Sequence, residues 1–191
     1  MDMQGTLNLS GGTLTVDTDV TFGSGASITG NNGVIAVGGN LISSGNINTG
    51  SNSVVLRDGC DPGNSSQING NFVFQNLTLS STTGRTFVIP AGANITVLGT
   101  LTLQGAPGQN IQLVSSGGGA AVINLGPSAT VSQTFTSVAG NVQIGNAIAT
   151  AKSIPTLSEY GLMLMTLLIG LVALWYHRRP ADTHFHRHIR I

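Results

Sequence analysis

GTLNLSGGTLTV, residues 5–16, states one theme twice: a short run of alternating apolar and polar residues, then a turn of Ser or Gly. The theme continues through SITGNNGVIAVGGNLISSGNINTGSNSVVL, residues 27–56. Leu7, Leu14, Ile28, Ile35, Leu41, Ile47 and Val54 mark its apolar centres, with Val20 or Phe22 filling the gap before Ile28. Steps of about seven residues are too short for a strand–helix unit. Every third step returns an equivalent residue about 20 positions on: Leu7, Ile28, Ile47 in one series and Leu14, Ile35, Val54 in another. That return predicts an all-β parallel β-helix (β-solenoid) with short three-strand rungs. Alternation along each strand turns Leu, Ile and Val inward and Thr and Asn outward. Gly and Asn serve the corners, where φ > 0 is needed.

Residues 1–136 are expected to form this β-helix, with the last strands and a linker over 137–153. RDGCDPGNSSQING, residues 57–70, breaks the pattern and reads as a loop leaving the coil. The theme then resumes at Phe72, Leu77, Phe87, Ile95, Leu101, Ile111 and Val122. Leu77, Ile95 and Ile111 read as one position on successive, imperfect rungs. The rival fold is an antiparallel β-sandwich, which favours steps of roughly 8–12 residues and a more aromatic core.

Composition supports a β-rich chain. Charged residues make up 7% of the 191, against roughly 25% in ordinary soluble domains. Lys, Glu and Arg, which favour long soluble helices, are nearly absent. The zero net charge hides an asymmetry. Up to Ser153, five aspartates (Asp2, Asp17, Asp19, Asp58, Asp61) face Arg57, Arg85 and Lys152. After Tyr176, Arg178, Arg179, Arg187 and Arg190 face only Asp182, among four histidines. So small a basic end, with no aromatic–basic surface, excludes nucleic acid as a partner. Cys60 is the only cysteine, so no internal disulfide forms. Residues 1–5 have neither the basic nor the apolar region of a secretory signal peptide, so further residues are expected upstream of Met1.

The C-terminus departs from all this. No charge occurs from Tyr160 to Tyr176. As a helix those positions span about 25 Å, slightly short of the roughly 30 Å hydrocarbon core of a bilayer. Trp175 and Tyr176 form an aromatic girdle, and Arg178 and Arg179 can snorkel to close the gap. A transmembrane α-helix is predicted over 160–176, since a thin β-domain has no place to bury a helix that is apolar all round. The positive-inside bias sets the β-domain outside and the tail, residues 180–191, in the cytoplasm.

Ile154-Pro155-Thr156-Leu157-Ser158-Glu159-Tyr160-Gly161, then the apolar run, then His177-Arg178-Arg179, resembles the IPTL-CTERM protein-sorting signal, a bacterial relative of the PEP-CTERM signals. The resemblance covers residues 154–179. Tyr160 stands where the family usually has Trp, and the tail beyond Arg179 is longer than usual. The resemblance implies processing near the motif by an exosortase, a membrane-embedded cysteine transpeptidase. The local chemistry suits this role. Pro155 keeps Ile154 extended, Thr156 or Ser158 can cap the following helix, and Glu159 complements its dipole. The β-domain more weakly resembles the β-helical repeats of bacterial adhesin-like surface proteins, as in the run from Gly105 to Ser116.

Other candidate sites are weaker. Asp17 and Asp19 would share one face of a strand and could hold calcium or act as a carboxylate pair. Asp58 and Asp61, with Asn64, could line a cation loop, although an ordinary Asx-rich turn accounts for them better. His184, His186 and His188 could bind a transition metal, although a terminal tail of the kind that frays accounts for them better. Asn8, Asn64, Asn76 and Asn94 open N-x-S/T triplets at a frequency the composition explains. No nucleophile elbow, zinc-protease motif or P-loop occurs. The expectation is therefore a non-enzymatic, exported, adhesin-like or structural surface protein with no cofactor or metal. Its expected partners are an exosortase, the lipid bilayer and a cell-surface or matrix polysaccharide. The alternatives are a carbohydrate-active β-helix enzyme using Asp17, Asp19, Asp58 or Asp61, and a fragment of a larger surface protein.

Overall fold

The computed structural model describes residues 1–60, 63–145 and 166–169. The chain divides into two units, residues 1–148 and 149–191. The first is a parallel β-solenoid of about six turns, with strands on three faces.

On the first face lie β1 (Asp2–Met3), β4 (Val20–Phe22) and the start of β7 (Leu41–Asn48). The start of β9 (Ser65–Ser80), β10 (Thr86–Pro90), β12 (Ile111–Ser116) and β15 (Thr136–Val138) continue it. The second face holds β2 (Thr6–Asn8), β5 (Ser27–Thr29), the end of β7, the middle of β9 and the start of β11 (Asn94–Gln104). It closes with β13 (Ala121–Leu125) and β16 (Val142–Ile144). The third face stacks β3 (Thr13–Val16), β6 (Asn31–Val37), β8 (Ser51–Leu56), the ends of β9 and β11, and β14 (Thr130–Thr134).

The predicted register holds in the early rungs. Leu7 pairs with Ile28, Leu14 with Ile35, and Ile35 with Val54. Later the expectation fails. Leu77, Ile95 and Ile111 do not stack, for they lie on the third, second and first faces. Leu77 pairs with Leu101, and Ile95 with Phe72 and Ile123. Rungs lengthen after residue 57, and a spacing carried over from shorter rungs slips by one face. The loop is also shorter than expected. Residues 65–70 are strand, and Ile68 is fully buried in the first face. β9 then runs through all three faces without a break, turning at Gly70, whose φ of +119° suits glycine.

Inward ladders form the core. Ile35, Val54, Leu77 and Leu101 fill the third face, while Phe72 and Ile95 fill the second. Phe72 meets Phe22 edge-to-face with centroids 6.5 Å apart and stacks on Phe74 at 5.2 Å. Each fully buried side chain of this kind contributes about 1.5–3 kcal/mol. Leu7, Leu14, Leu125 and Ile144, nearer the two ends, are only partly buried.

In the second unit, residues 166–169 form a turn of α-helix, with Leu167, Leu168 and Ile169 exposed. Among the described residues no helix is long and apolar enough to cross a membrane. The transmembrane helix expected over 160–176 therefore has no support there, and apart from 166–169 it lies outside the described residues.

Candidate functional site

Among the described residues, every charged side chain except Asp2 lies on one corner of the solenoid, where the third face turns into the first. Asp17 and Asp19 occupy that corner after β3. Arg57 and Asp58 follow β8, and Arg85 precedes β10. The described part of the solenoid thus gathers its charge along one edge.

Asp17 and Asp19 are in a bend, not a strand, so the expected shared face is absent. Asp17 forms an ion pair with Arg57, while Asp19 Oδ1 accepts a hydrogen bond from Asn40 N at 2.7 Å. Each carboxylate is engaged by a different partner, and the two do not act as one ligand pair. Arg57 Nη1 also donates to Asp58 O at 2.8 Å.

Asp58 reaches forward to the next corner. Its Oδ2 accepts from Thr82 N at 2.8 Å and Thr82 Oγ1 at 2.9 Å, and its Oδ1 accepts from Thr83 Oγ1 at 3.2 Å. Burial pushes the Asp58 carboxyl up. Hydrogen bonds from Ser81, Thr82 and Thr83 outweigh burial and hold it below the ordinary carboxylate range. Asn64 faces the same turn, with Nδ2 donating to Gly84 O at 3.4 Å. Asp58 and Asn64 therefore brace the 81–85 turn instead of lining a cation loop, and Asp61 lies outside the described residues. Among the described residues no three His, Cys, Asp or Glu side chains come together as a metal site.

Arg85 is the residue that sequence reasoning missed. It is 2% exposed. Its Nη1 donates to Gly38 O at 3.1 Å, Ser65 O at 3.3 Å and Ser66 Oγ at 2.7 Å, and its Nη2 donates to Gly63 O at 2.9 Å. Its Nε lacks a hydrogen-bond partner and sits 3.9 Å from Asp58 Oδ1. One guanidinium thus ties together three successive corners. The signal was present: Arg85 shares the alternation of the inward residues Phe87 and Ile89, which places it inside.

A cleft of about 360 Å³ opens beside this corner, lined by Arg57, Asp58, Ser81, Thr82 and Gln104 among others. Its carboxylate is already committed to the turn above. Cys60 is exposed, and its backbone N–H donates to Asp17 O at 3.0 Å. The corner as a whole is a set of cross-rung ties.

A second tie lies between the second and third faces. Asn52 is fully buried. Its Nδ2 donates to Gly30 O at 3.0 Å and Thr49 O at 2.8 Å, and its Oδ1 accepts from Gly33 N at 2.8 Å.

The expected sorting residues Ile154, Pro155, Thr156, Leu157, Ser158, Glu159, Tyr160 and Gly161 lie outside the described residues, as do Trp175, Tyr176, Arg178 and Arg179. Residues 152–179 match the IPTL-CTERM motif. The match covers the segment that holds the octamer, the apolar run and the basic stop, and it leaves the solenoid without an assignment. No curated protein and no solved structure matches the chain.

Proposed function

We propose that the chain is an exported protein of a bacterial envelope, built from a structural or adhesive β-solenoid and a C-terminal sorting signal. The observation that carries this reading is the IPTL-CTERM match at residues 152–179. In this reading the apolar run 160–176 inserts in the bilayer, Arg178 and Arg179 hold its cytoplasmic end, and the solenoid stands outside. An exosortase-type transpeptidase then acts near Ile154–Gly161 and releases the solenoid or joins it to a surface component.

No catalysis is assigned. Of the four aspartates that a polysaccharide-cleaving reading would use, the three described ones (Asp17, Asp19 and Asp58) are engaged by Arg57, Asn40 N and the 81–85 turn, and Asp61 lies outside the described residues. Such engagement suits ties between rungs better than acid–base work, which needs a carboxyl free to face substrate.

The test is a full-length chain with one epitope inside an exposed solenoid turn and another after Ile191, expressed in an exosortase-containing host. The reading expects the mature surface or extracellular form to keep the first epitope and lose the second. Pro155→Ala should leave an unprocessed, carbonate-resistant precursor. Recovery of the wild-type chain with both epitopes in the soluble intracellular fraction would refute the proposal.

A further inference from the structure

We infer that the second face carries a binding groove for a neutral, hydroxyl-rich polymer, a polysaccharide, read by a ladder of three asparagines. Asn46 and Asn71 are register partners in adjacent rungs, and so are Asn71 and Asn94. All three are exposed. They edge a groove of about 280 Å³ whose remaining lining includes Asn48 and Val73 over the buried Ile47 and Phe72. This inference rests on the envelope location proposed above, since a polysaccharide is a partner the solenoid meets outside the cell.

Three features separate these asparagines from ordinary turn residues. First, they lie within strands β7, β9 and β11 and have no positive φ, so no left-handed corner requires them. Gly70 takes the corner next to Asn71 instead. Second, among the described residues their side chains have no hydrogen-bond partner, unlike Asn52 and Asn76, whose amides are bound to neighbouring rungs. Third, asparagine is disfavoured in strands. A column of three brings no internal contact to offset that cost, so the fold itself does not explain them.

Their chemistry defines the ligand. Each amide offers two donors and one acceptor. A sugar hydroxyl both donates and accepts, so vicinal hydroxyls can engage an amide oxygen and N–H together. The rung spacing sets the amides about 4.8 Å apart, a pitch close to the length of one sugar residue in an extended chain. The groove has no charged lining residue, which favours a neutral polymer over a polyanion. Asn48 keeps its Nδ2 donors for the same groove, because only its Oδ1 is used, by Gly50 N at 2.9 Å. The ladder ends at the next rung, where Val122, preceding Ile123, takes the equivalent place.

The experiment is affinity electrophoresis of the purified full chain in gels containing a neutral mannan, a neutral β-glucan or the polyuronate alginate. Retardation by at least one neutral polymer, and less by alginate, is expected. The triple variant Asn46→Ala/Asn71→Ala/Asn94→Ala should weaken that retardation at least tenfold with an unchanged far-UV spectrum. A second triple variant, Asn46→Gln/Asn71→Gln/Asn94→Gln, keeps the amides on longer stems and should retain part of the binding. A control, Thr78→Ala/Thr102→Ala on the third face, should bind as wild type. The inference is overturned if no neutral polymer retards the chain, if alginate retards it more, or if both asparagine variants bind as wild type. Loss of binding in all variants alike, the control included, also overturns it. Purified protein is used throughout, so mislocalisation in cells would sink the proposed function without touching this result.

Discussion

Arg85→Ala should be the most damaging single substitution on the charged corner. The guanidinium donates four hydrogen bonds from a site that is 2% exposed. A hydrogen bond to a charged group contributes about 1.5–3 kcal/mol net. The four share one side chain and do not add; buried acceptors left unsatisfied, at about 1–3 kcal/mol each, together with the lost apolar stem give a total of about 3–5 kcal/mol. For a solenoid of this size that predicts a fall in Tm of roughly 6–20 °C. Arg85→Met separates the two contributions of the side chain, because Met keeps most of the apolar stem and removes the donors. The carbonyls of Gly38, Gly63 and Ser65 stay in place, so Met should recover no more than about 1–2 kcal/mol of the loss. The assay is urea unfolding of the full chain by far-UV circular dichroism, with hydrogen exchange read at residues 65–69 and 86–89. Exchange should accelerate there first, because repeat stability is a sum over neighbouring rungs. If Arg85→Met unfolds within about 1 kcal/mol of wild type, the guanidinium is filling space and the cross-rung tie is refuted.

Asn52→Ala should cost about 2–4 kcal/mol in the same urea assay, because Gly33 N–H and two carbonyls lose a buried partner. Asn52→Leu, close in volume, should be no better, and a near-neutral Leu variant would show that shape alone is needed. Asp58 predicts an acid limb. Its folded pKa lies below the ordinary 3.8, so its contribution is complete above that value and fades as pH falls through the lower folded value. Asp58→Asn should flatten stability against pH in that acid window, and an unchanged limb would count against the assignment. Gly38→Ala and Gly59→Ala should each destabilise by about 1–3 kcal/mol, the usual cost of overpacking. An added Cβ at either position would come within 2.6 Å of the other glycine's Cα, and Tm measurement checks the effect. Tyr160→Trp, which restores the usual residue of the IPTL-CTERM octamer, should speed loss of the C-terminal epitope in pulse–chase labelling, and slower processing would contradict the motif reading.

The three-sided coil was legible because two independent patterns agreed. Alternation along each strand fixed which side chains turn inward, and the return after three steps fixed the number of faces. Leu14, Ile35 and Val54 show both patterns and pair as expected. Legibility failed where rung length changed. Leu77 and Ile95 each alternate correctly, yet the spacing between them does not say which face either occupies, because corner length is free while strand parity is not. Asp17 and Asp19 failed for a related reason: a separation of two places residues on one side only within a strand, and these stand in a corner. The asparagine column became visible only with the register known, since Asn46, Asn71 and Asn94 are far apart in the chain and each resembles a turn residue alone. The sorting segment was legible for the opposite reason, because its octamer, apolar run and basic stop are contiguous.

The position of Arg85 follows from the irregular loop at 57–64. A regular corner satisfies its own backbone through neighbouring rungs, as Gly38 N does with Val16 O and Arg57 N with Val37 O. At and just past the end of the longer loop, Gly63 O and Ser65 O both accept from Arg85 of the following corner. A side chain with five donors in a planar fork satisfies several carbonyls at once and keeps the stack dry. The loop and Arg85, the buried charge among the described residues, are therefore joined through Gly63 O. Deleting the loop takes away Gly63 O and leaves the guanidinium with Gly38 O, Ser65 O and Ser66 Oγ. In a loop-shortened chain Arg85→Met should accordingly cost less stability than in the full-length chain, measured by the same urea unfolding. If the substitution costs as much after the loop is removed, the role of the arginine does not derive from the loop carbonyl.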